Sequence, residues 1–67
     1  MNSNRLKGLM REHNETHESL GKALSISRSC MSNKINGKSE FTLGELNLIK
    51  RRYQLSIEQM YDIFFDD

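Results

Sequence analysis

Residues 16–38 read THESLGKALSISRSCMSNKINGK, and the apolar positions in this stretch decide the fold. Leu20, Ala23 and Leu24 fall at i, i+3, i+4, and Met31 and Ile35 are four apart. Both spacings put apolar side chains on one face of an α-helix. Thr16 and Ser27 stand just before the two stripes, where a hydroxyl accepts from a free amide of the first turn. Asn36-Gly37 is a stop, because glycine takes the left-handed conformation past a helix end at little cost. The pattern predicts helices over 17–24 and 28–35, separated only by Ser25-Ile26-Ser27. Gly21 then supplies a small residue where the two helices approach, and Leu20, Leu24, Ile26 and Met31 supply the contacts that fix their angle.

The same spacing recurs on both sides. Leu6, Leu9 and Met10 predict a helix over 3–13, and Leu46, Ile49 and Tyr53 predict one over 43–53. Ile57, Met60, Tyr61 and Phe64 fit the full i, i+3, i+4, i+7 pattern of a helix over 57–65. Thr42 with Glu45 and Ser56 with Gln59 are capping boxes, in which each partner satisfies an orphan amide of the other. Proline and valine are absent, and no stretch alternates apolar and polar residues as a half-buried strand does. The expectation is an all-α, five-helix single domain over 1–67.

Length and composition narrow the function. A chain of 67 residues holds one small core, because short domains bury a smaller share of their surface. No apolar run approaches the roughly 18 residues of a membrane helix, and the start lacks a signal-peptide segment. A single cysteine forms no internal disulfide, so a reducing cytoplasm is the expected location. The net charge of +1 conceals an asymmetry. Residues 1–38 carry seven basic against three acidic side chains, a net of +4, and residues 39–67 carry three against six, a net of −3. A basic half suits a polyanionic partner.

The segment 16–38 resembles the Cro- and repressor-type helix-turn-helix family of λ-like phages, also called the XRE family. The five-helix outline extends the resemblance over nearly the whole chain. It implies a λ-repressor-like fold and a DNA-binding transcriptional regulator, a small Cro-like repressor of phage or mobile-element type. Such a protein docks its third helix in the major groove of double-stranded operator DNA, usually as a homodimer on a near-palindromic site. Four positions depart from the family pattern. Ser25 stands where glycine is usual in the turn, and Lys34 stands where an apolar residue is usual. Met10 and Ile35 replace an arginine–glutamate pair.

At about 100° per residue, Ser29 and Asn33 point away from the Met31–Ile35 face, flanked by Ser32 and Asn36. Arg28 lies nearer the core side by angle, but it is in the first turn, the end by which such helices enter the groove. Arginine grips guanine and asparagine grips adenine with paired hydrogen bonds. The expected base contacts are therefore Arg28, Ser29, Ser32 and Asn33. Thr16, His17, Ser27, Asn36, Lys38 and Ser39 are the expected phosphate contacts.

The remaining signals are weaker. His13 and His17 are four apart and Cys30 could complete a zinc set, but a helix break at Asn14 spoils that geometry and no second cysteine exists. Cys30 reads as a small filler. No nucleophile–base–carboxylate set and no glycine-rich phosphate loop is evident, so neither an enzyme nor a cofactor is expected. Ile63 and Phe65 fall beside the last stripe and are the expected dimer contact; Leu48 lies opposite the stripe of the fourth helix. The alternative reading is a protein-interaction module, antitoxin-like or anti-repressor, favoured by the acidic half.

Overall fold

The computed structural model describes residues 1–65, and all the regular structure among them is helical. Helices α1 (Ser3–Glu12), α2 (His17–Leu24), α3 (Arg28–Ile35) and α4 (Leu43–Tyr53) are followed by a short α5 (Ile57–Met60). The last continues directly as a π-helical turn over Tyr61–Phe65.

Every α-helix starts on a side-chain cap. Asn2 Oδ1 accepts from the Arg5 amide at 3.1 Å, and Ser27 Oγ accepts from the Cys30 amide at 3.2 Å. The boxes expected at Thr42–Glu45 and Ser56–Gln59 both form. A third forms at Thr16, whose hydroxyl accepts from the Ser19 amide while Ser19 Oγ accepts from the Thr16 amide. Each such cap contributes on the order of 1 kcal/mol. The stops are residues in the left-handed region: Asn14, Ser25, Gln54 and Gly37. At Ser25 (φ 61°) a side chain occupies the left-handed conformation that glycine adopts freely and that strains an L side chain.

The core draws on all five helices. Leu6, Leu20, Met31, Ile35 and Ile49 are fully enclosed, and Met10, Leu24, Tyr53, Leu55, Met60, Ile63 and Phe64 surround them. Met10 and Ile35 are thus both core residues. Leu48 is exposed, as its place opposite the α4 stripe requires.

The carboxy-terminal helix departs from expectation. The sequence pattern places Ile57 and Tyr61 inside, yet they are 78% and 59% exposed, whereas Ile63 is buried. Ile57 stands ahead of the π turn, and the buried Met60, Ile63 and Phe64 themselves fall at i, i+3, i+4, an apolar stripe that neighbours the expected one and shares Met60 and Phe64 with it. The start of the chain ties down this turn, since the Asn2 amide donates to the Ile63 carbonyl at 2.7 Å. Helix α1 also ends one residue early, at Glu12. Ala23, which the spacing puts on the α2 stripe, is exposed.

Candidate nucleic-acid interface

Helices α2 and α3 meet at Gly21. A Cβ at this position would lie 2.8 Å from the Ile26 carbonyl oxygen and 3.6 Å from Met31 Cβ, so no larger residue fits without displacing the turn. The Ile26 amide donates to the Gly21 carbonyl at 2.9 Å, which closes the connection. Met31 and Ile35 then take the whole inner side of α3.

The outer side of α3 is polar. Arg28, Ser29, Asn33 and Asn36 are exposed, and so is Cys30. That corrects the reading of Cys30 as a filler. Ser32 is half-buried because its hydroxyl sits 2.7 Å from His17 Nδ1. This contact braces the first turn of α2 against the middle of α3. His17 also lines a shallow depression of about 400 Å³ with Thr16, Glu18 and Arg28.

Thr16, His17, Arg28 and Ser32 therefore gather at one end of the candidate surface. Asn36, Lys38 and Ser39 gather at the other, where the amides of Lys38 and Ser39 both donate to the Asn33 carbonyl. The Ser27 and Thr16 hydroxyls already accept cap hydrogen bonds. Both residues remain exposed.

Ion pairs reduce the charge asymmetry of the sequence. Lys22 pairs with Glu18, Lys34 with Glu45, Arg5 with Asp62 and Arg52 with Glu15. Among the described residues, Arg28 and Lys38 make no such pair, so their charges are available to an external anion. Lys34, whose side chain is largely buried, is accommodated by its contact with Glu45 and by Phe41, whose ring centroid lies 6.0 Å from Nζ. Burial works to raise the Glu45 pKa, but Lys34 and the Thr42 amide outweigh it and hold the carboxyl below its ordinary range.

Sequence reasoning missed the polar anchor behind this surface. The Glu15 carboxylate accepts from Arg52 Nε (2.6 Å) and Nη2 (3.2 Å), from the Tyr53 hydroxyl (2.8 Å) and from Ser19 Oγ. The hydrogen bond from Arg52 is the main reason its pKa falls to about 2, against the opposing effect of burial. Burial and the neighbouring Glu15 charge push the Tyr53 hydroxyl upward. Because Ser19 also completes the Thr16 capping box, the network fastens the start of α2 to the end of α4. Only the Thr16-x-x-Ser19 spacing offered a local hint of it.

The two histidines take separate roles. His13 stacks on the Tyr53 ring at 4.4 Å between centroids, and His17 faces Ser32. At the carboxy-terminal end, Phe65 is exposed beside a groove that Met1, Phe41 and Leu46 also line. Ile63 is 6% exposed, and the expectation that it meets a second subunit does not hold while this turn stays packed. The physical cause is that Ile63 shares the inner face with Met60 and Phe64, at i, i+3, i+4, and that the Asn2 amide holds its carbonyl. Among the described residues, no helix is long and apolar enough to cross a membrane.

No protein-family model matches the chain, and neither does any curated protein or solved structure.

Proposed function

We propose that the protein is a sequence-specific DNA-binding transcriptional regulator, with α2 and α3 acting as a helix-turn-helix and α3 entering the major groove. The observation that carries this reading is the outer side of α3. Arg28, Ser29 and Asn33 are exposed there, and among the described residues their side chains have no partner within the domain. An α-helix about 10–12 Å across fits a major groove about 12 Å wide. In that pose Arg28 and Asn33 read base edges. Thr16 and His17 at one end, and Asn36, Lys38 and Ser39 at the other, approach the flanking phosphates. Helix α3 spans about 12 Å from Arg28 to Asn36, a separation that suits backbones on either side of the groove.

The regulator acts as a homodimer, which doubles the interface and sets the two reading helices about 34 Å apart. With Ile63 committed to the core, exposed Phe65 is the remaining residue of the expected contact. Phe65→Ser should weaken operator binding several-fold and leave the helical circular dichroism unchanged. A wild-type footprint confined to one half-site would contradict the dimer.

Selection from a random duplex pool tests the function itself. Enrichment of a near-palindromic sequence is the expected result. A pool that stays random would favour the same fold acting as a protein-interaction module.

A further inference from the structure

Helix α1 sorts its charges onto two sides. Arg5 and Glu12 line a depression shared with Leu55 and Gln59, and Arg5 pairs with Asp62 at 3.8 Å. Lys7 and Arg11 line a different depression, of about 240 Å³, together with Met10, Glu15 and His17. Neither cation makes an ion pair among the described residues. Glu15 is the single carboxylate lining this depression, and its side chain is 5% exposed and committed to Arg52, Tyr53 and Ser19. Two positive charges therefore face outward with no anion to meet them among the described residues. The strip is also continuous with the surface described above, because His17 lines both this depression and the one that holds Thr16 and Arg28.

We propose that Lys7 and Arg11 form a second phosphate grip, which takes the phosphodiester backbone beside the segment that α3 reads. The proposal rests on α3 being the element that docks on duplex DNA. Side chains four apart on a helix have Cβ atoms about 5–6 Å from each other, so both cations face one stretch of backbone. Arg11 supplies a planar fork of donors that matches phosphate oxygens, and Lys7 supplies a point charge. The grip carries no base information, since every phosphate offers the same oxygens. Its contribution is affinity and register: it fixes how far α2 and α3 are rotated about the duplex.

The test uses the full chain with Lys7→Gln and Arg11→Gln together. Fluorescence anisotropy is read on the selected duplex and on a random duplex of equal length, across a salt series. The variant should bind both duplexes more weakly by the same factor. Its log K versus log [salt] slope should be shallower by about 1.8 for each bound protomer, at roughly 0.9 for each phosphate no longer neutralised. The charge-preserving pair Lys7→Arg and Arg11→Lys should keep the wild-type slope. An unchanged slope in the glutamine variant overturns the grip, as does an equal weakening in the charge-preserving variant. If the wild type shows no base preference and the glutamine variant still flattens the slope, the reading by α3 fails and the grip stands.

Discussion

The α2–α3 corner and the turn that ends α5 are both short helical pieces with one side in the core, but their outer sides differ in chemistry. At the corner, Met31 and Ile35 fill the inner side and Arg28, Ser29 and Asn33 stand outside, without partners among the described residues. At the carboxy-terminal turn, Ile63 and Phe64 fill the inner side, Asp62 is paired with Arg5, and the aromatic rings of Tyr61 and Phe65 stand outside. The first surface offers unpaired donors and suits an anionic, hydrogen-bonding partner. The second offers apolar area and suits a protein. The difference teaches that one small core supports two outward surfaces of opposite chemistry, each held by its own set of contacts.

The strongest way to break this comparison is to separate the corner from its support. Gly21→Val places two methyl groups against the Ile26 carbonyl and Met31, and overpacking of this kind costs about 1–3 kcal/mol, with this site expected near the upper end. Urea unfolding measures the loss, and an unchanged midpoint would mean that the close approach does not hold the two helices. Substitutions of exposed Tyr61 at the other end should leave the midpoint nearly unmoved.

Next in size is Glu15→Gln, which removes the charge that Arg52, Tyr53 and Ser19 all address. Hydrogen bonds to a charged group contribute about 1.5–3 kcal/mol, and a loss of about 2 kcal/mol at neutral pH is expected. The sign with pH follows from linkage. The folded carboxyl titrates at about 2 against an ordinary 4.5, so its stabilisation is present above pH 4.5 and disappears as pH falls toward 2. The gap between wild type and variant should close over that window. A gap that stays constant with pH would show that the charge is not what holds the anchor.

Ser25→Gly is the smallest effect and the opposite sign. Glycine relieves the left-handed strain at φ 61° and adds disorder to the unfolded chain, for a net gain of roughly 0.5–1 kcal/mol. A loss of stability would mean that the serine side chain makes a contact that outweighs the strain.

Much of the corner is legible in the sequence because its signals are local. Thr16, Ser27 and Asn36-Gly37 mark boundaries within a few residues of the stripes they delimit, and the bounds 17–24, 28–35 and 43–53 coincide with α2, α3 and α4. The carboxy-terminal turn is not legible in the same way. Two overlapping apolar stripes, Ile57-Met60-Tyr61-Phe64 and Met60-Ile63-Phe64, both have helical spacing, and only the packing against the rest of the core selects the second. Long-range polar contacts leave no local signal either. Glu15 and Arg52 are 37 apart and Lys34 and Glu45 are 11 apart, so charge counting by halves assigns to the surface several cations that are neutralised in place. Ser29 and Asn33 can be placed outside from periodicity alone, whereas the exposure of Arg28, nearer the core side by angle, and the bracing of Ser32 by His17 require the packed corner.

The central claim is that the outer side of α3 reads bases, and Arg28→Ala measured beside Lys38→Ala tests it most directly. Anisotropy on the selected duplex and a random duplex, at several salt concentrations, separates the two roles. Arg28→Ala should lose roughly 1–3 kcal/mol on the selected duplex and relax preference at one base pair per half-site. Lys38→Ala should weaken both duplexes by similar factors and flatten the salt slope by about 1. Equal weakening of both duplexes by Arg28→Ala, with base preference intact, would contradict the account.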